Sequence, residues 1–170
     1  MKKILQDCLL FLVFSILIHA LYMLLPNIIT IIFTPVNKSL IEQFKLIFSS
    51  YLTLFVFKSL FFKTNEEKDF TIYFFSILTN ITILFLIYLP FLFFKANIFI
   101  YIVIYIISNI LTFTLIYKIK NKLISKNYKK PIIISSIILI IMFTYFSYYP
   151  LKSFLFYDRI NNRYGIHTYP

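Results

Sequence analysis

Apolar residues fill this chain in five long stretches, broken by short polar knots. The first runs from about Ile4 to Leu25, the second from Glu42 to Phe62 and the third from Phe70 to Phe94. The fourth runs from Ile98 to Tyr117, and Pro131 opens a fifth that ends near Tyr149. Each approaches the roughly 20 residues that carry a helix across about 30 Å of hydrocarbon. The pattern predicts an all-α, polytopic membrane protein. Residues 1–149 form a bundle of five transmembrane helices, and residues 150–170 form an extracytoplasmic, interfacial tail packed on the bundle.

Between the first two stretches lies the densest polar cluster, Pro35-Val36-Asn37-Lys38-Ser39-Leu40-Ile41-Glu42-Gln43-Phe44-Lys45-Leu46. Ser39 and Glu42 have the S-x-x-E spacing of a capping box, so the second helix is expected to begin there. Pro35, fixed in φ, marks the loop before it. Lys58, near the far end of that helix, is long enough to snorkel to the interface. Lys2 and Lys3 ahead of an apolar run imitate a signal peptide. No small-x-small cleavage site follows, and four more apolar segments do, so a retained signal anchor is expected.

Composition adds limits. The chain has 170 residues and is 61% hydrophobic, which leaves no stretch for a soluble domain. The single cysteine, Cys8, excludes an internal disulfide. A net charge of +11 would point a soluble protein toward nucleic acid. Here the lysines flank apolar runs, where they set orientation and meet anionic headgroups, so the bilayer is the expected partner and nucleic acid is not. A membrane-protein partner stays open. Lys2, Lys3, Lys58, Lys63, Lys68, Lys118, Lys120, Lys122, Lys126, Lys129 and Lys130 outnumber Lys38, Lys45, Lys95, Lys152, Arg159 and Arg163. That bias places the N-terminus in the cytoplasm and the C-terminus outside a cell membrane. With no tryptophan, tyrosines such as Tyr22, Tyr88 and Tyr101 supply the aromatic belt. The lone glycine, Gly165, excludes both GxxxG packing and a glycine-rich phosphate loop.

Candidate chemistry gathers at the outer face. His19 and Tyr22 share one face of the first helix, with Ser15 a turn earlier. His19 lies roughly 10 Å inside the boundary at about 1.5 Å per residue, a depth where ionisable groups face a bundle or a wet cavity. Glu42 either caps its helix or points into a polar pocket with His19, while Lys45 reaches for headgroups or the same pocket. In the tail, Asn161 and Asn162 suggest a turn across which Asp158 and Arg163 pair. His167 is incidental. His19, Glu42 and Asp158 are metal ligands by type, yet no H-E-x-x-H-like spacing supports a metal, and no cofactor is expected. No G-x-S-x-G elbow or Cys–His pair suggests a nucleophilic hydrolase.

These residues resemble a family of small bacterial integral membrane proteins of unknown function. Its motifs are H-x-x-Y, P-V-N-E-S-x-W-E-H-x-K-L and P-L-F-x-D-x-x-x-x-x-Y-G-I. The matches are His19 and Tyr22; Pro35, Val36, Asn37, Ser39, Glu42, Lys45 and Leu46; and Leu155, Phe156, Asp158, Tyr164, Gly165 and Ile166. Lys38, Ile41, Gln43 and Asn97 stand where the family has Glu, Trp, His and Asp. The resemblance implies no activity.

The expected site comprises His19, Tyr22, Asn37, Ser39, Glu42, Lys45, Asp158, Tyr164 and Gly165, a small polar site on the outer face with no reaction assigned. One alternative is a membrane-embedded enzyme using Glu42, Asp158 and His19 as acid–base or metal-ligand groups. The other is a small-solute transport or accessory subunit, for which Asn80 and Asn109 are the mid-membrane candidates. Two geometric expectations accompany this reading. Asn80 and Asn109 meet at equal depth in a hairpin of the third and fourth segments. The tail folds back on the outer ends of the first two, so that His19, Glu42 and Asp158 surround one pocket.

Overall fold

In the computed structural model, the described residues are 2–62, 66–92, 98–124 and 129–166. The Lys95–Asn97 turn, residues 63–65 of the polar loop after Phe62, residues 125–128 of the basic loop and His167 lie outside them. Six helices are described: α1 (Lys2–Leu24), α2 (Ile28–Phe33), α3 (Leu40–Phe61), α4 (Glu66–Tyr88), α5 (Ile98–Ile124) and α6 (Lys129–Tyr148). A short 3-10 turn, Leu89–Leu92, extends α4. Two-residue strands β1 (Tyr157–Asp158) and β2 (Arg163–Tyr164) form an antiparallel hairpin in the tail.

Five of these helices are long and apolar enough to span a bilayer: Ile4–Leu24, Leu40–Phe61, Asp69–Tyr88, Ile98–Lys120 and Lys130–Tyr148, with mean hydropathy from 1.4 to 2.3. The chain is a multi-pass, all-helical membrane protein. The sixth helix, α2, is an addition to the five expected. Asn27 caps it by accepting from the Thr30 N–H at 2.9 Å, and the Thr30 hydroxyl answers the Asn27 N–H at 3.0 Å. Pro26 and Asn27 thus split the apolar run, and the short helix after them packs against α6, α1 and α3.

The helix α3 is the axis of the bundle. It packs against α1, α4 and α6, while α4 and α5 form the closest pair. Tyr51, Leu54, Ile47 and Phe11 are sealed at its centre, and the Phe11 and Tyr51 rings lie 4.4 Å apart. Polar residues line this axis, Ser49 among them, and three of its hydroxyls bond to one another. The Ser15 hydroxyl lies 3.0 Å from both Ser50 Oγ and Tyr105 Oη, and Ser50 donates to the Leu46 carbonyl at 2.7 Å. Each hydroxyl can therefore donate once, from Tyr105 through Ser15 to Ser50 and on to the backbone.

Deeper in, Asn80 Nδ2 donates to Asn109 Oδ1 at 2.6 Å, and Asn109 Nδ2 donates to the Tyr105 carbonyl at 2.9 Å. The two amides meet because α4 and α5 pack directly against each other. We expect Asn80→Leu to cost about 0.6 kcal/mol, and at most about 1.7. Reversible unfolding in bicelles measures this, and a loss above about 3 kcal/mol would show that the pair does more than join two helices.

Candidate functional site

The polar cluster at the tail end of the bundle begins with a helix cap that differs from the expected one. Ser39 is the N-cap of α3, yet its side chain makes no capping bond and its Oγ is buried without a partner. Glu42 does not reach back to Ser39. Instead its Oε2 accepts from the Val36 N–H at 3.2 Å and lies 2.7 Å from Lys45 Nζ. Its Oε1 accepts from the Ser147 hydroxyl at 2.7 Å. The Lys45 ammonium also donates to Ser147 Oγ at 2.6 Å and to the Ile31 carbonyl at 2.9 Å. Glu42 and Lys45 are 2% and 1% exposed, so Lys45 does not reach headgroups. All three ammonium protons and both carboxylate oxygens are engaged, as a sealed ion pair requires. This one pair ties α2, α3 and α6 together.

The tail is held by a second set of bonds. Asp158 is 0% exposed. Its Oδ2 accepts from the Lys38 N–H at 3.0 Å and from Asn161 Nδ2 at 2.8 Å. Its Oδ1 accepts from the Ile160 and Asn161 N–H groups at 2.9 and 3.0 Å. Burial pushes this carboxyl up, but the Lys38 and Asn161 amides and the Ile160 N–H outweigh it and hold it below the ordinary aspartate value. Asp158 faces Arg163 in the hairpin register, and Asn162 takes the left-handed conformation, φ 54°, that closes the turn.

Asn37 clamps loop and tail at once. Its Oδ1 accepts from the Ser39 N–H at 2.8 Å, and its Nδ2 donates to the Gly165 carbonyl at 2.9 Å. Gly165 has φ +75°, and a Cβ there would sit 3.2 Å from Pro150 Cγ, so both backbone and space call for glycine. The Ile41 N–H, free at the start of α3, donates to the Leu155 carbonyl at 3.1 Å. Apolar contacts complete the seal: Phe156 lies on Phe146 at 5.0 Å, and Ile166 packs on Tyr22, Ile31 and Val36. The Tyr164 and Tyr157 rings lie 5.1 Å apart across the hairpin, tilted by 53°.

His19 stands apart from both carboxylates. No hydrogen bond links it to Glu42 or Asp158, and among the described residues its Nδ1 is buried without a partner. The expected three-residue pocket is therefore replaced by two saturated clusters and a separate cavity. That cavity, of about 530 Å³, lies between α1 and α5 over the flank of α3 and α4. Its walls are mainly apolar, and its rim includes Ile16, Met23, Ile98 and Ile102, all exposed on the outside of the bundle. Lys38, His19 and Gln43 also line it, and the tail residue Ile160 completes the wall.

A further polar cluster, at the opposite end, was not anticipated from sequence. Asp7 on α1 forms an ion pair with Lys58 on α3, and Tyr117 Oη donates to Asp7 Oδ2 at 3.1 Å. Lys58 therefore does not snorkel. The step from Asp7 to Ser15 along α1 matches the step from Lys58 back to Ser50 along α3, so both pairs obey one antiparallel register. A carboxylate inside an apolar run was the available signal, since such a group calls for a partner at its own depth. Among the described residues, no group of three or more His, Cys, Asp or Glu side chains is placed to hold a metal ion. No protein-family model, curated protein or solved structure matches the chain.

Proposed function

We propose that this chain is a membrane-embedded binding protein that holds an amphiphilic molecule in the cavity between α1 and α5. In this reading the outer-face polar cluster fixes the roof of that cavity. The observation that carries the proposal is a division among the polar groups. Glu42, Lys45, Asp158 and Asn37 are buried with internal partners, whereas Lys38, His19 and Gln43 line the cavity and, among the described residues, His19 Nδ1 has no partner. A largely apolar cavity of about 530 Å³ with a few convergent polar groups is a ligand site by size and character.

The same division bears on the resemblance to the family with P-V-N-E-S-x-W-E-H-x-K-L. Asn37, Glu42 and Lys45 match that motif and hold loop and tail, while Lys38 and Gln43 depart from it and line the cavity. We take the tail end to face outward and the N-terminus to be cytoplasmic, on the lysine bias alone. Acid–base or metal-ligand work by Glu42, Asp158 and His19 has less support, because both carboxylates are sealed and His19 is separate from them. The transport reading has the polar axis from Ser15 to Asn80 in its favour, but every group on that axis except Asn80 Oδ1 and Ser49 Oγ is internally bonded.

A photoreactive fatty-acyl probe added to the purified protein in detergent tests the binding reading. Labels are expected on α1 around Ala20 and on α5 around Ile102, both on the cavity wall. Ala20→Phe fills that space. Excluding even two methylenes, at about 0.8 kcal/mol each, weakens binding about tenfold. Labelling spread evenly over all lipid-facing helices, and unchanged by Ala20→Phe, would overturn the reading.

A further inference from the structure

The cavity is asymmetric in charge as well as in polarity. Among the described residues that line it, Lys38 is the charged one, and no carboxylate faces it. The backbone of Lys38 is pinned, because its N–H donates to Asp158 at 3.0 Å, so the side chain projects from a fixed point. Asp158 itself has both oxygens turned to donors of the tail and of Lys38, and it does not line the cavity.

Beside Lys38 lie two neutral groups able to donate. His19 carries a ring nitrogen, Nδ1, that is buried without a partner, which a buried polar atom rarely tolerates. His19 lines the cavity, and its ring carries one N–H donor in either neutral tautomer. Gln43, one turn into α3, offers an amide N–H₂. The Tyr105 hydroxyl of the wall is already held by Ser15 at 3.0 Å, and the Tyr88 ring lies stacked on Tyr101 at 5.6 Å. Leu40, the first residue of the 22-residue α3, also lines the cavity. The positive end of that helix dipole therefore lies at the same place.

From these groups we infer that the amphiphile has an anionic, phosphate-type head group, bound by the Lys38 ammonium with His19 and Gln43 donating beside it. The apolar chain lies down the cavity between α1 and α5. This rests on the proposed binding function and adds the chemistry of the head. A cationic head would meet Lys38 with no counter-charge in the wall. A neutral head offers the ammonium an acceptor but no counter-charge. An anion gives the ammonium both an acceptor and a counter-charge.

The test uses three photoreactive probes with one common chain: an alkyl phosphate, an alkyl phosphocholine and the plain fatty alcohol. The full chain is purified in detergent, and labelled peptides are mapped. The alkyl phosphate is expected to reach half-maximal labelling of the cavity at a concentration at least about tenfold below the alcohol, the scale of one charge-assisted hydrogen bond. Lys38→Gln brings the phosphate probe to the level of the alcohol. It leaves thermal unfolding unchanged, because Lys38 holds the tail through its backbone. Ala20→Phe weakens cavity labelling by all three probes, each by about tenfold. Equal labelling by the three in the native chain overturns the head-group inference and leaves the binding function standing. Absence of cavity labelling by any probe overturns both. Inorganic phosphate that competes with the alkyl phosphate, but not with the alcohol, supports anion recognition and shows that the head alone suffices for it.

Discussion

Lys45→Met is expected to destabilise the folded bundle by about 3–5 kcal/mol, the largest effect of any single substitution proposed for this protein. The substitution leaves the Glu42 carboxylate 2% exposed with no cation beside it, and an uncompensated buried charge is what makes breaking such a pair costly. It also removes the donor to the Ile31 carbonyl and to Ser147, so α2 and α6 lose their common tie to α3. The double variant Glu42→Met with Lys45→Met should recover much of the loss, because no charge is then buried. Recovery is incomplete, since the Val36 N–H loses its acceptor, and an unsatisfied buried group costs about 1–3 kcal/mol. Thermal and denaturant unfolding of the purified protein in detergent measure both variants. A Lys45→Met protein within about 1 kcal/mol of the native chain would show that the pair is not structural.

The second large effect is release of the tail by Asp158→Asn. Four donors converge on the carboxylate, the N–H groups of Lys38, Ile160 and Asn161 and the Asn161 amide. An asparagine must turn its own N–H₂ toward one pair of them, so at least two bonds are lost and donor faces donor. Hydrogen bonds to a charged group are worth about 1.5–3 kcal/mol each, so the tail is expected to detach for much of the time. Faster amide exchange at residues 158–161 and at Lys38, with protease cleavage of the tail, reports this.

The same bond set fixes a pH dependence. The folded Asp158 carboxyl is held below the ordinary value of 3.8. Its contribution is therefore fully present above that value and is lost as pH falls through the lower folded value. Tail protection should be flat from neutral pH to about 4 and should fall below it. In Asp158→Asn that fall disappears. A tail whose protection in the native chain changes instead between about pH 6 and 8 would point to a different anchor.

Much of the architecture was legible in the order of apolar and polar residues. Runs near 20 residues long have few structures open to them in hydrocarbon, because every backbone N–H and C=O must be satisfied within the segment. Helix is then the solution for each of the five. The Asn80–Asn109 bond was legible for a related reason: a short connection forces an antiparallel hairpin, and equal counts from the turn give equal depth. Gly165 could be read as a position of positive φ or close approach, and it is both.

Other features could not be read this way. The S-x-x-E spacing at Ser39 and Glu42 is a local rule, and here it gave the helix start but misplaced the Glu42 side chain. Lys45, Ser147 and the Val36 N–H compete for that carboxylate, and two of them come from other parts of the chain. Lys58 was read as reaching outward because its partner, Asp7, lies 51 residues away on another helix. The separation of His19 from Glu42 and Asp158 follows from helix rotation, which a list of residues at similar depth does not contain.

The sequence by itself determined how many times the chain crosses the bilayer and at what depth each polar residue lies, because length, hydropathy and helical rise are properties of single segments. Only the tertiary structure decided which buried polar groups satisfy one another and which are left facing a cavity. That outcome depends on helix azimuth and on the return of the tail over Asn37 and Lys38. Both are set by the packing of α3 against its neighbours and not by any one stretch of residues.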